Sequence, residues 1–161
     1  MPYLQPLFFL LFLVACWFGG QAVHELGHVL AAWCSGANVE AVYMLPISQT
    51  IVSNRQYPLF EIGAGPVFGG AFPVLLWGIA YWFRWKFAFT LRSFAALCLM
   101  GNGGYIGLDF STAGAWDGRM LIEYGAPRWS LVLFGLVYFV AGLFLWRGQS
   151  KHFFSRQTIH E

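Results

Sequence analysis

The chain has 161 residues, of which 58% are hydrophobic, 20% aromatic and only 10% charged. So little charge cannot cover the surface of a water-soluble domain of this size, so the class indicated is integral membrane protein. The net charge is +2, and no basic run or basic helix face is present, which excludes the electrostatic footprint of a nucleic-acid-binding protein.

Four apolar segments follow one another along the chain, at residues 7–33, 62–83, 94–108 and 131–146. A helix crosses a bilayer in about 20 residues, with a range of about 17–25. The second and fourth segments fit that length. The third fits if it begins at Phe87 and keeps Arg92 near the interface. The first is too long for a perpendicular crossing, so a tilt, a projection or a bend at Gly19-Gly20 is expected. Trp33, Trp82, Trp85, Trp129 and Trp146 fall at segment ends, as interfacial tryptophans do. Gly36 is placed to close the first helix in the left-handed conformation. Between the first two segments, residues 39–45 and 50–53 are β-prone and separated by Pro46, which predicts a short hairpin against the membrane. The expected fold is an all-α integral membrane protein of about four transmembrane helices, with this hairpin between helices 1 and 2. It forms a single membrane-embedded domain over 1–161, with a core at about 7–146 and a polar tail from Arg147. Cys16, Cys34 and Cys98 contain no paired Cys-x-x-Cys spacing and read as small buried hydrophobes.

The chemistry concentrates in the first segment, at His24-Glu25-Leu26-Gly27-His28. Residues four apart share one helix face, so the two imidazoles can bind a single zinc ion, and the adjacent glutamate can act on a water held there. Glu25 is the only formally charged residue from 7 to 33. A charge at mid-bilayer costs about 2.5–3.5 kcal/mol on insertion scales, which argues for a use. From Leu7 to His24 is roughly 25 Å of helix at about 1.5 Å per residue. The motif therefore lies inside the membrane, near the boundary where residues 37–61 emerge. A catalytic zinc site takes three protein ligands and leaves one position open. The remaining histidines, His152 and His160, are in the tail. The third ligand is then to be sought among Glu61, Asp109, Asp117 and Glu123, with Cys34 and Cys98 as thiol alternatives.

At these residues the chain resembles the site-2 protease family of intramembrane zinc metalloproteases (peptidase family M50). The histidine motif continues into Val29-Leu30-Ala31-Ala32; Ala64-Gly65-Pro66 is similar to the family's Ala-Gly-Pro element, and Trp116-Asp117-Gly118 to its Leu-Asp-Gly element. The resemblance implies Zn2+ as cofactor, His24, His28 and Asp117 as metal ligands, and Glu25 as general base. It implies hydrolysis of peptide bonds in or near transmembrane segments of a membrane-protein substrate, which the hairpin would hold as an added strand. The partners expected are that substrate and the lipid bilayer, with no nucleic acid, in a bacterial or archaeal cell membrane. The sequence departs from the family pattern where Gly69 and Asp109 stand at positions usually held by asparagine, where prolines are missing from 110–116, and at Arg119. Asp109 reads either as a partner orienting a histidine or Arg119, or as a helix-end aspartate. Two other classes of function are compatible with the residues: a membrane gluzincin with Glu123 as third ligand, and a non-proteolytic membrane protein that keeps a zinc site.

Overall fold

The structure is a computed structural model and describes residues 4–44, 48–109, 116–149 and 153. It is mostly helical. Helix α1 (Leu4–Ser35) leads into a hairpin of β1 (Asn38–Tyr43) and β2 (Gln49–Ser53). Helices α2 (Pro58–Trp82), α3 (Ala88–Asp109), the short α4 (Asp117–Glu123) and α5 (Arg128–Trp146) follow.

Among the described residues three helices are long and apolar enough to cross a membrane: α1 over Pro6–Ser35, α2 and α5. Helix α3 has 22 residues but is less apolar, because Arg92, Asn102 and a run of glycines interrupt its hydrophobic sequence. The faces turned outward are those a lipid environment requires. Leu7, Phe8, Leu10 and Leu11 are exposed on α1, and Leu136, Val137, Leu143 and Phe144 on α5. Trp33, Trp82 and Trp129 are exposed at the ends of their helices.

Helix α1 stops where Gly36 takes φ +78° and the Ala37 amide donates back to the Ala32 carbonyl at 2.9 Å, the expected left-handed closure. It is not interrupted at Gly19-Gly20. Those glycines instead face α3, where a Cβ on Gly20 would lie in ordinary contact, 3.4 Å from Cys98 Sγ. The hairpin is antiparallel and pairs Asn38 with Ser53 and Tyr43 with Gln49. Its register shifts between Val39 and Ala41, a bulge that bends the strand. Pro46 and the tail histidines lie outside the described residues.

Helix α2 begins on Pro58, a residue suited to the first turn, where an amide would lack a partner anyway. The buried Glu61 carboxylate accepts the backbone amides of Gln56 and Tyr57, both at 3.0 Å. The helix continues through Pro66 and Pro73. Helices α3 and α5 make the most extensive contact in the molecule. It is close because Gly135 lies on Gly103 and Gly107, where a Cβ would come 2.6 Å from Gly107 Cα. Without a hydrophobic drive between helices in lipid, such small residues let backbones approach and gain dispersion contacts. A cluster of Ile62, Ile106, Leu121 and Leu131 ties α2, α3, α4 and α5 together beneath the start of α4.

Candidate metal centre

His24 and His28 project from one face of α1, one turn apart, with ring centroids 4.9 Å from each other. Helix α2 sets the position of His28. Its Nδ1 donates to the Glu61 carbonyl at 2.9 Å. The ring occupies the space over Gly65, where any Cβ would overlap it. Gly27, between the histidines, sits against the Ala64 carbonyl, so that a Cβ there would come within 2.5 Å of that oxygen. The Ala64-Gly65 pair therefore has a local steric reason: α1 and α2 touch backbone to backbone at the height of the histidines.

Helices α3 and α4 set the rest. His24 Nδ1 donates to Asn102 Oδ1 at 2.7 Å, and the Asn102 amide nitrogen donates to the Cys98 carbonyl at 2.9 Å, which fixes the orientation of the amide. Asn102 itself fits because position 69 is glycine; a Cβ there would lie 2.8 Å from its Nδ2. Asp117 is the first residue of α4. Its amide donates to the Tyr105 hydroxyl at 3.1 Å, which anchors the start of α4 to α3. The Tyr105 ring also meets the edge of His24, with centroids 5.8 Å apart.

Three ligand atoms converge. His24 Nε2 lies 2.9 Å and His28 Nε2 3.2 Å from the same oxygen, Asp117 Oδ2, and the two nitrogens lie 3.1 Å apart. Both Nδ1 atoms are committed as donors, so each Nε2 presents a lone pair toward the others. Three electron-pair donors at this separation repel unless a proton or a cation lies among them. The side chains fit a metal. Bonds of about 2.0–2.1 Å in a tetrahedral zinc site put ligand atoms about 3.3 Å apart, close to the observed triangle, and three ligands leave a fourth position. The acceptors behind the histidines, a carbonyl and an amide oxygen, are the kind that fix tautomer and ring orientation in metal sites. Burial alone would raise the Asp117 carboxyl. A proton lying between it and the His24 and His28 rings outweighs that and holds it well below the usual carboxylate range, so it is an anion available to a cation. The His24, His28 and Asp117 group could hold a metal ion.

Glu25 is buried, and its Oε2 accepts a hydrogen bond of 2.6 Å from Thr50 Oγ1 on β2. The hairpin thereby reaches back onto the motif, helped by Gln21, whose side-chain oxygen accepts the Ser48 amide at 2.9 Å. His24, Glu25, His28, Thr50, Asn102 and Asp117 all line one cavity of about 720 Å³ between α1, α3, α4 and the hairpin.

The other candidate ligands lie elsewhere. The Glu61 carboxylate faces the α2 N-terminus and Arg55, 3.7 Å away. Glu123 pairs with Arg119 at 2.9 Å on an exposed surface. Cys98 is buried against α1, whereas Cys34 is exposed at the end of α1 and is not the small buried hydrophobe that its sequence context predicts. The side chain of Asp109 lies outside the described residues, and Arg119 is engaged with Glu123. Sequence reasoning missed Asn102, Tyr105 and Thr50. Asn102 carried a signal: an amide in the middle of an apolar helix needs a partner. Tyr105 and Thr50 carried none, because tyrosine and threonine are ordinary at an interface and in a strand.

Comparison with protein-family models, with curated proteins and with solved structures gave no match to this chain.

Proposed function

We propose that this chain is an intramembrane zinc endopeptidase of the site-2 protease kind, which hydrolyses peptide bonds in or near the transmembrane segments of other membrane proteins. The observation that carries the reading is the convergence of His24 Nε2, His28 Nε2 and Asp117 Oδ2, with both histidine tautomers set from behind, beside a buried Glu25 in a cavity. The asparagine missing at position 69 has a counterpart in Asn102, which fills the space over Gly69 from the neighbouring helix. Helix α3 is read as a fourth span, since 22 residues cover about 33 Å at about 1.5 Å each.

In this reading His24, His28 and Asp117 hold the zinc. When bound, zinc supplies Lewis-acid polarisation of a carbonyl and makes water acidic enough to attack near neutral pH. Glu25 accepts the proton of the attacking water and returns it to the departing amine nitrogen, while the C–N bond breaks and a carboxyl and an amine form. Thr50 holds the Glu25 carboxylate by its 2.6 Å hydrogen bond and so fixes which oxygen is free to take the proton. The cavity walls from α1 and α3 limit the water that reaches these groups. The hairpin stands over the motif, where an unwound substrate can pair with it as an extra strand. Two imidazoles and one carboxylate with an open position support zinc as the ion.

The decisive experiment is Glu25→Gln in the full-length protein reconstituted in lipid and assayed against reporter proteins carrying single transmembrane segments. Zinc content stays at the wild-type level and cleavage falls by about 10²- to 10⁴-fold, the usual contribution of a general base. Unchanged cleavage in Glu25→Gln would overturn the enzymatic reading.

A further inference from the structure

The cavity that holds the metal triad continues far beyond it. On α1 its lining runs down one face from His28 and Glu25 through Gln21 and Trp17 to Leu13. From His24 to Leu13 is about 16 Å of helix at about 1.5 Å per residue. The facing wall on α3 is made by Leu97, Cys98 and Gly101. The charged groups and imidazoles are gathered at one end of the cavity, and beyond Gln21 the lining is mainly apolar. This apolar end exists because α1 touches α3 far less than it touches α2. Gly101 leaves the space open: a Cβ there would meet no atom of the described residues within 4 Å.

Resting on the function proposed above, we infer that this apolar lobe is the substrate subsite for the membrane-embedded flank of the cleaved segment, with Gly101 setting how much apolar bulk it admits. An extended chain rises about 3.3 Å per residue, so 16 Å takes about five residues on one side of the scissile bond. The occupant expected is apolar, because Leu13 and Leu97 offer no hydrogen-bond partner and Trp17 offers only its indole N–H, so most polar groups buried there would go unpaired, which is costly. Substrates are thus segments with a run of large apolar residues beside the cleaved bond, and segments with charged or amide side chains there are rejected.

The test uses zinc-loaded full-length protein and two probes, acetohydroxamate and octanohydroxamate, which share the metal-binding group and differ in the length of the alkyl tail. Each buried methylene contributes about fourfold, so the wild-type protein binds octanohydroxamate at least about 100-fold more tightly than acetohydroxamate. Gly101→Leu fills the lobe and lowers that preference at least about tenfold, with zinc content and acetohydroxamate affinity at their wild-type levels. Gly104→Leu is the control. It adds the same side chain to α3 at a position that is also open but does not line the cavity, and it keeps the full preference. If Gly101→Leu does not accumulate as a folded protein, Leu97→Trp narrows the lobe from the same wall and lowers the preference likewise. A preference unchanged in the lobe-filling variant, or absent from the wild type while acetohydroxamate binds, overturns the lobe alone. Failure of the protein to take up zinc overturns the metal centre, and failure of zinc-loaded protein to bind acetohydroxamate overturns its open position; either result removes this inference as well.

Discussion

Helix α1 presents two faces to the rest of the protein, and they are built on opposite plans. Against α2 it is closed. Gly27 lies on the Ala64 carbonyl, Gly65 lies under His28, and the Glu61 carbonyl holds the imidazole from behind. Against α3 it is open, and the cavity of about 720 Å³ that holds the triad extends between the two helices. Glycine serves both arrangements. At positions 27 and 65 the missing side chain lets two elements close up; at position 101 it leaves room that no described residue fills. The contrast separates two tasks. The closed face fixes ligand geometry, where tenths of an ångström matter, and the open face leaves volume for something to enter.

The largest expected effect is at the point where both faces meet. Asp117→Asn replaces the anion shared by the two histidines and should lower zinc affinity by more than about 100-fold, read by competition with a chelator. Glu123→Gln should leave it unchanged, because Glu123 pairs only with Arg119 among the described residues. The reverse result would make Glu123 the third ligand. On the closed face, Gly65→Ala forces the His28 ring aside. It should cost about 1–3 kcal/mol of stability, the usual range for overpacking, together with a loss of zinc affinity. Thermal unfolding with and without added zinc reports both. If Gly65→Ala left zinc affinity intact, His28 would not depend on α2 for its position.

Asn102→Ala removes the acceptor behind His24 and should weaken zinc binding by about 10- to 100-fold while the fold persists. Asn102→Asp, which keeps an acceptor oxygen, should recover part of that loss. On the open face, Gly20→Ala adds a methyl in ordinary contact with Cys98 and should change stability by no more than about 0.5 kcal/mol. A large destabilisation there would mean that α1 and α3 are tighter than their contact indicates.

Much of this was legible in the chain. Membrane character follows from composition, the hairpin from β-prone stretches around Pro46, and the left-handed closure of α1 from Gly36. The histidine pair is legible because spacing on a helix is local geometry. Helix α1 runs unbroken through Gly19-Gly20, where the glycines lie against α3; glycine in a helix can serve either flexibility or close approach, and only the neighbour decides. Arg92, Asn102 and the glycines make α3 the least apolar of the long helices, so its bounds and role were the least legible. Asn102 went unread as a partner of His24 because the two are 78 residues apart and no local pattern joins them.

The sequence by itself determined the apolar character of the long segments, the helices and one pair of candidate ligands, since each depends on residue type and on spacing within a few turns. Only the tertiary structure decided the rest. It brings Asp117 to the histidines, directs Glu61 and Glu123 elsewhere, sets both tautomers through Asn102 and Glu61, and leaves α1 closed on one side and open on the other. These are relations between segments far apart in the chain, fixed by how closely the helices can approach, and that distance exists only once the helices are packed.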